Sequence, residues 1–599
     1  MTEFIARLKQ RKLVQWALAY VAASFALIQV LDVVAQRFAW PDQLERILIL
    51  ALAVGFLVVL VLAWYHGERG AQRISSTEIV ILALLLAVGG GLLWRFERAP
   101  NALAVAAQTR SPDAAQRNPG ITTRDASAHA IEIPAKSVAV LPLNNESGEK
   151  DQQYFSDGLS EDLINALSQF AGLKVISRNS SFQFRDSKQP SAAIGRALGV
   201  AHLLEGSVQK LGNEVRISAE LVNAADGSTL WSQHYDRPYK DLFTLQDDIT
   251  SAVADALKAK LLDGGGAVAQ SDRPPSGNQD AWNAYSRGRF YGLLIDPEDA
   301  RKAIGFYEQA IALDPRYARA YASLSYAQTT LAATFLAGEA QRQAYAKGRA
   351  AANRALQLDP EMARAHVARG LLLASADFDW SGAEAEYGRA VMLSPNDGQA
   401  KFELGNLLST LGHPNQAIPL IRQSIAIDPR NSGNRYWLAW DLAAVGQPEA
   451  AEQSARKAIE LTPGKSFLPT GLAIIQIQRG QIKAALATAQ QEPPGPWHEF
   501  ALTLTLQVGG DRGAADAALK TLIAGNAEGM AYQIAEVYGL RKQPDDVFAW
   551  LDRAWANRDP GIDRLLTDPF ILPYKSDPRF AAFCRKVGLP TTTDARAMP

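Results

Sequence analysis

The stretch FELGNLLSTLGHPNQAIPLIRQSIAIDP, residues 402–429, decides the fold of the C-terminal half of this 599-residue chain. Apolar and small residues recur at helical spacing on both sides of Gly412, which predicts two helices joined by a short turn. The same ending, an apolar residue followed by a small polar residue and proline, recurs along the chain. It closes at Pro315, Pro360, Pro395, Pro429 and Pro463, which lie 45, 35, 34 and 34 residues apart. Because proline disfavours a helix at the residue before it, each ending marks the end of a helix pair.

A helix pair that repeats about every 34 residues resembles the tetratricopeptide repeat. The resemblance implies an all-α solenoid of about seven units over residues 278–557, and a tail over residues 558–599 that caps it. The longer first interval predicts an insertion of about eleven residues around residues 332–344. Gly405 and Ala417 are small, as the close packing of neighbouring repeat helices requires.

Arrays of this kind present a concave groove that binds peptides or protein domains, so the resemblance implies protein partners. Tyr326, Tyr436, Trp437 and Trp440 are of types that often dominate binding interfaces. At tetratricopeptide spacing most of them are expected in the core between helices, and the residues that bind a partner stay unknown.

The segment before the array predicts a small α/β domain over residues 136–262. SVAVLPL, residues 137–143, and LKVISR, residues 173–178, are suited to buried strands, and SDGLSEDLINALSQF, residues 156–170, has the apolar spacing of an amphipathic helix. Two strands with a helix between them predict a parallel βαβ unit. Three alternating strands and a closing helix follow, and linkers over residues 98–135 and 263–277 flank the domain.

Long phrases of this domain, among them KSVAVLPL, QYFSDGLSEDLINALSQFAGLKVISRNSSFQFR and AHLLEGSVQKLGNEVRISAELVNAADG, resemble the TolB amino-terminal-like domain, related to FlgO. In that family the domain commonly stands between a membrane anchor and tetratricopeptide repeats. The cytoplasmic end of such chains is a winged-helix regulator, a nucleotide cyclase or a kinase. This sequence offers only about a dozen residues before its first apolar segment, so no cytoplasmic effector domain is expected.

Three apolar segments, about residues 13–36, 47–65 and 79–94, predict an N-terminal anchor of three transmembrane helices. A cleaved signal peptide is the alternative for the first segment, but its apolar stretch is too long and two more follow. Basic residues are concentrated before the first segment and after the second, which places the N-terminus in the cytoplasm. The sequence therefore predicts a protein of the bacterial inner membrane whose residues after about 98 are periplasmic.

Two features of the anchor bear on function. Asp32 is the one ionised group within a predicted span, but it lies near the end of its helix, where an interfacial position in contact with water is expected. Ala83, Ala87 and Gly91 fall on one helix face, which indicates helix packing within the chain or between copies, and hence a possible homo-oligomer.

Few residues invite a chemical role. Asp157, Glu161 and Asp162 could be imagined as a cation site, but carboxylates at the start of a helix are explained by its dipole. The single cysteine, Cys584, is expected to pack in the tail and not to act as a nucleophile.

His234, Tyr235 and Asp236 suggest a catalytic group, but neighbouring strand residues face opposite sides, so a solvated or edge position is expected. No phosphate-binding loop, zinc-ligand spacing or nucleophile elbow occurs, and no catalytic residue, metal or cofactor is predicted. The net charge of −1 gives no general basic field for nucleic acid.

The leading hypothesis is a non-catalytic, membrane-anchored scaffold or sensor whose exported domains bind other proteins. One alternative is an enzyme with an unrecognised site in the α/β domain. Another is a cytoplasm-facing assembly factor or signalling-associated protein, which requires only one misjudged span.

Overall fold

The computed structural model describes residues 133–148, 152–170, 172–261, 273–292, 297–336 and 338–595. The segments 13–36, 47–65 and 79–94, on which the predicted anchor depends, lie outside the described residues. Within the described ranges, no helix combines the length and the apolar character that a bilayer crossing requires. All described residues belong to one compact unit, residues 127–599.

The N-terminal part of this unit is an α/β domain built on a six-stranded sheet, with the strand order β3-β1-β4-β5-β6 and β2 paired to β4. β1 lies between β3 and β4 and is parallel to both, as the predicted βαβ unit requires. β4, β5 and β6 form an antiparallel meander whose turns contain Gly212 and Gly227, both at positive φ. The strands are β1 Ser137–Val140, β2 Asn144–Asn145, β3 Lys174–Val175, β4 His202–Leu211, β5 Glu214–Asn223 and β6 Thr229–Pro238.

Helices cover both faces of this sheet around β1, whose four residues are all buried. Leu159 and Leu163 of one helix and Ile249 of another are buried in the larger core, and Ile194 and Leu198 of a third are buried in the core on the opposite face. The helices are α1 Gln153–Ser168, α2 Arg178–Ser181, α3 Ser191–Leu198 and α4 Leu242–Leu261. The predicted α/β fold of this domain is confirmed.

The C-terminal part contains eight helix pairs among the described residues, where about seven were expected. The apolar-polar-proline endings close the second helix of five pairs, since those helices end at Leu313, Leu358, Leu393, Ile427 and Leu461. In chain order the pairs are α5 Gln279–Tyr291 and α6 Pro297–Leu313; α7 Ala318–Phe335 and α8 Gly338–Leu358; α9 Ala363–Leu372 and α10 Trp380–Leu393; α11 Gly398–Thr410 and α12 Pro414–Ile427; α13 Ser432–Ala444 and α14 Pro448–Leu461; α15 Leu468–Gln478 and α16 Ile482–Ala489; α17 Pro496–Val508 and α18 Arg512–Asn526; α19 Ala531–Leu540 and α20 Pro544–Ala556.

The insertion predicted around residues 332–344 lies in the second pair, where it lengthens both helices. α7 has 18 residues and α8 has 21, whereas α11 and α12 of the fourth pair have 13 and 14. From α7 onward, the first helices of successive pairs contact one another directly, which places them on the inner, concave side of the solenoid.

The tail expected to cap the array also returns to its middle. It comprises two short 3₁₀ segments, Pro560–Arg564 and Leu572–Tyr574, and a helix, α21 Pro578–Lys586. Val587 accepts a hydrogen bond of 3.0 Å from the indole of Trp380 in the third pair. The backbone N–H of Asp594 donates to the carbonyl of Gly412 in the fourth pair, at 2.8 Å. The tail therefore connects the last pair to the third and fourth pairs.

Candidate interdomain site and tail contact

The three carboxylates singled out from the sequence lie where the α/β domain meets the array. Helix α1 begins at Gln153, so Asp157, Glu161 and Asp162 lie beyond its first turn. The expectation that they stabilise the start of the helix is therefore wrong, because backbone N–H groups beyond the first turn already pair within the helix. All three are buried, and three arginines surround them: Arg178, Arg185 and Arg289. We call these six residues the interdomain site.

Asp157 is held from within the α/β domain. Arg185 donates from Nη2 to both of its carboxylate oxygens, at 2.7 and 2.8 Å. Gln153, one turn earlier in α1, donates to Oδ1 at 2.8 Å. The guanidinium of Arg178 lies 3.8 Å away on the other side. The Asp157 side chain is only 3% exposed, so its charge is balanced almost entirely by protein groups.

Glu161 lies between the two domains. Its oxygens are 3.2 Å from Nε of Arg178 in the α/β domain and 3.3 Å from Nη1 of Arg289 in α5. Burial alone would raise the pKa of Glu161, but the charges of Arg289 and Arg178 outweigh it and hold the pKa below its ordinary value. Glu161 is therefore ionised at neutral pH.

Asp162 joins three helices. Arg289 of α5 donates to Oδ1 at 3.0 Å, while the indole of Trp282, also in α5, donates to Oδ2 at 2.8 Å. Gln246 of α4 donates to the same oxygen at 2.9 Å. Because every donor is buried, these hydrogen bonds specify how α1, α4 and the first helix of the array are arranged.

Close backbone contact accompanies these charges. A Cβ atom built on Gly158 of α1 would lie 2.8 Å from Oγ of Ser286 and 3.2 Å from the ring of Trp282. Only glycine lets α1 approach α5 this closely. The interface between the domain and the array is thus packed as tightly as a protein core.

A second contact joins the α/β domain to the fourth pair. Asp428, directly after α12, accepts hydrogen bonds from Oγ of Ser177 at 2.6 Å, from Nδ2 of Asn179 at 3.1 Å and from Oγ of Ser180. The backbone N–H of Ser177 donates to the carbonyl of Ile427 at 2.9 Å. The domain is therefore attached to the array at two places far apart in sequence.

The polar groups of the interdomain site bind one another across the interface between the α/β domain and the array, so their role is structural. Arg178 follows β3, at the carboxyl edge of the parallel strands, where open α/β sheets commonly bind ligands. In this chain Asp428 and Arg289 of the array reach that edge. Within the described part of the chain, no group of three or more His, Cys, Asp or Glu side chains is arranged to hold a metal.

The tail forms a second buried polar cluster, which we call the tail site: Tyr532 and Glu536 of α19, with Arg564 and Asp568 of the tail. Tyr532 donates to Oδ2 of Asp568 at 3.1 Å, and the guanidinium of Arg564 lies 4.9 Å from the ring centre of Trp440. Burial raises the pKa of Glu536 well above its ordinary value, and the neighbouring Asp568 raises it further. Burial and the mutual repulsion of Glu536 and Asp568 therefore both favour the protonated form of this pair.

Cys584 is fully buried, and burial raises the pKa of its thiol to about 11, which makes it unreactive at neutral pH. The expectation that it packs in the tail is confirmed.

The predicted position of His234 is also confirmed, since it is exposed on the edge strand β6. It lies 2.9 Å from Oγ of Ser218, whereas Tyr235 is buried on the other face of the strand. Asp236 is exposed as well and pairs with Arg216 at 2.7 Å.

Among the aromatic residues of the array, Tyr436 and Trp440 are buried core residues, as expected, and Tyr326 and Trp437 are half-buried.

The arginines of the interdomain site were not predicted. The available indication was in α5, where Trp282, Tyr285 and Arg289 recur at helical spacing on one face, so that a charged residue shares a face with large apolar ones. An arginine so placed predicts a buried anionic partner, but its identity depends on tertiary contacts.

Comparison with known families identifies two regions. Residues 134–252 match the second domain of the HilA/YgeH-like transcriptional regulators, and residues 398–431 match the tetratricopeptide repeat. The C-terminal part thus contains tetratricopeptide repeats. The match of the α/β domain is to a regulator domain and does not test the TolB resemblance, which stays a prediction.

One curated relative and several solved structures are similar to parts of the chain. The chain is 38% identical over 197 residues to the "Putative adenylate cyclase 3" of Rhizobium meliloti (strain 1021). The aligned region covers 32% of this chain and 33% of that protein. This chain therefore spans about a third of the length of that relative.

YrrB, described as a TPR protein with an unusual peptide-binding site, is 17% identical over 36% of this chain and 97% of its own, with a TM-score of 0.26. Yeast Tom70 is 14% identical over 58% of this chain and 77% of its own, with a TM-score of 0.32. The assignment of the repeats depends on the match at residues 398–431 and on the helix pairs themselves.

Proposed function

We propose that this chain is a membrane-anchored scaffold that binds other proteins through its repeat array, with the α/β domain fixed on that array. The observation that supports this most is the solenoid of eight helix pairs, one of which matches the tetratricopeptide repeat. Helix-pair solenoids expose a large surface that is suited to protein segments. Two of the carboxylates that the sequence singled out, Glu161 and Asp162, pair with Arg289 of the array, which favours a binding role over catalysis.

The scaffold is tested by photo-crosslinking in living cells. A benzoyl-phenylalanine at Met392, which is 67% exposed on the array, is expected to give crosslinked products of discrete mass. The same group at Glu214, the exposed first residue of β5, is the matched control and is expected to give none. Absence of products from Met392, from the other exposed apolar positions Leu313 and Phe335, and from the exposed Arg553 of the last pair would contradict the scaffold.

The membrane part of the proposal rests on the three apolar segments at residues 13–36, 47–65 and 79–94. We propose that they anchor the chain in a bacterial inner membrane with the array on the periplasmic side. An alkaline phosphatase fused after residue 115 is then active, and a fluorescent protein that matures only in the cytoplasm stays dark at the same position. The opposite pair of results would place the array in the cytoplasm and favour an assembly factor there.

A second candidate function is a part in signalling. It is favoured by the names of the similar proteins, a transcriptional regulator family for the α/β domain and a putative adenylate cyclase for 197 residues. Under this second candidate function, the array binds a separate signalling protein. Formation of cyclic AMP from ATP by the purified chain, measured by chromatography, is expected to stay at the level of the protein-free control; production above that level would favour the enzyme alternative.

A further inference from the structure

An open cleft of about 620 Å³ lies between the seventh and eighth helix pairs. Its volume is in the range of sites that hold small molecules or short peptide segments. The walls come from the start of α17, the end of α18 and the loop after it, the start of α19, and the end of α20 with the residues that follow. Among the lining residues are Trp497, Met530, Gln533, Arg553 and Asp559.

Gln533 points to a ligand. It lines the cleft and is only 4% exposed. Across the ranges that the structure describes, no side chain or backbone group forms a hydrogen bond with its carboxamide. The amide atoms of Gln533 face the solvent of the cleft, so water completes their hydrogen bonds and the backbone of a bound segment can replace that water.

The other residues that line the cleft determine which ligand groups can bind next to the Gln533 amide. Trp497 and Met530 supply apolar surface, and Pro560 extends it at the edge. Asp559 is not available to a ligand cation, since its two oxygens accept hydrogen bonds from the backbone N–H groups of Tyr532 and Gly561. Arg553 is exposed and stacks over Trp550 at 4.9 Å, so its positive charge lies at the rim of the cleft.

We propose that this cleft binds an extended peptide segment of a partner protein. A carboxamide offers one acceptor and two donors, the complement of the C=O and N–H of a peptide backbone. An apolar side chain of the segment packs on Trp497 and Met530, and an acidic side chain or terminal carboxylate pairs with Arg553. The proposal rests on the scaffold function and locates its binding site.

The rest of the array supports a site away from the concave groove. The α/β domain packs against α5 at the start of the array, and the tail reaches Trp440 of the inner helix α13. A partner that entered the groove at these places would have to displace parts of the chain itself, whereas the cleft between the last two pairs is open to solvent.

The test uses random-sequence peptides displayed on phage and selected on the full chain in detergent. Binding of the selected peptides is then measured by fluorescence polarisation on Gln533→Leu and on the matched control Gln476→Leu. Gln476 is a buried glutamine in α15 whose Oε1 has no hydrogen-bond partner in the described structure, but it does not line the cleft. We expect affinity to fall about tenfold or more on Gln533→Leu and to stay unchanged on Gln476→Leu.

Folding is monitored in the same variants by thermal unfolding. Replacement of an unpartnered amide by a leucine of similar size leaves the unfolding temperature unchanged or raises it, so lost affinity with retained stability marks a binding residue. If Gln533→Leu unfolds, the exposed Arg553→Gln serves instead and is expected to remove any preference for acidic peptides.

Selected peptides that bind Gln533→Leu and Arg553→Gln as tightly as the parent chain would overturn the proposal, as would a selection that yields no binder. If either result is obtained but partners still crosslink at Met392, the scaffold function stands and only the assignment of this cleft as its binding site fails.

Discussion

The interdomain site and the tail site bury carboxylates in opposite ways. At the interdomain site three carboxylates face three arginines, and Arg289 alone reaches both Glu161 and Asp162. At the tail site one arginine, Arg564, faces several carboxyl groups, among them Glu536 and Asp568. The first cluster has as many arginines as carboxylates, whereas the second has more acids than cations, which favours protonated carboxyl groups. A buried carboxyl group thus indicates a stabilising ion pair only where nearby cations are as numerous as the carboxyl groups.

Removal of Arg289 is expected to have the largest effect. Arg289→Ala leaves Glu161 and Asp162 buried without their shared cation, which costs about 3–5 kcal/mol in free energy of unfolding. Urea unfolding followed by tryptophan fluorescence measures this cost. The control is Arg287→Ala, two residues earlier, whose exposed guanidinium lies over Phe306 and contributes about 1 kcal/mol or less. Equal effects of the two substitutions would mean that the interdomain site is not a stabilising joint.

Replacing one glutamate by glutamine in each cluster tests whether the interdomain site and the tail site differ in charge. Glu161→Gln removes a charge that Arg178 and Arg289 need and is expected to cost about 3 kcal/mol. Glu536→Gln replaces a carboxyl group whose neutral form is favoured by burial and by Asp568, and it is expected to change stability by less than about 1 kcal/mol. Both are measured by the urea midpoint at neutral pH. A large loss for Glu536→Gln would show that the tail site is ionised.

Opposite dependences on pH are predicted for Glu161 of the interdomain site and for Asp441, a buried carboxyl group that belongs to neither cluster. Glu161 has a folded-state pKa below its ordinary value, so its stabilisation is present at neutral pH and is lost as the pH falls through the folded-state pKa. Burial raises the pKa of Asp441, on α13, to about 7, so its unfavourable contribution grows as the pH rises from about 4 to about 7. Asp441→Asn is expected to remove a decline on the order of 4 kcal/mol over this range.

The measurement is the urea midpoint of Asp441→Asn and of the parent chain at several pH values, with the exposed Glu308→Gln as control. An unchanged slope in Asp441→Asn would contradict a protonated Asp441.

The smallest expected effect is at the end of the tail. Thr593 donates from its hydroxyl to the carbonyls of Gly412 at 3.0 Å and Leu566 at 2.7 Å. Thr593→Ala is expected to cost about 1 kcal/mol. It should increase amide hydrogen exchange at residues 587–595 without changing exchange at the interdomain site, because the two contacts share no residue. Faster exchange in α1 as well would show that the clusters are coupled.

Local patterns in the sequence predict the elements but not the contacts between them. The endings at Pro429 and Pro463 predict where helices end, because proline acts on its nearest neighbours. Arg289 and Asp162 are separated by 127 residues, and Trp380 and Val587 by 207, so no local pattern links either pair. Helix α1 begins at Gln153, three residues before the apolar stretch at residue 156 that predicts it. For this reason its carboxylates lie beyond the first turn, where they cannot stabilise the helix start as predicted.

The most direct test of the central claim, that the α/β domain is fixed on the array, is a distance distribution between the two. Spin labels at Lys188 of the domain and Arg422 of α12, both exposed, are compared by pulsed electron paramagnetic resonance in a chain whose buried Cys584 is replaced by alanine. A single narrow distance is predicted, which broadens when Arg289→Ala is added. A broad or double distribution in the chain without that substitution would contradict the account.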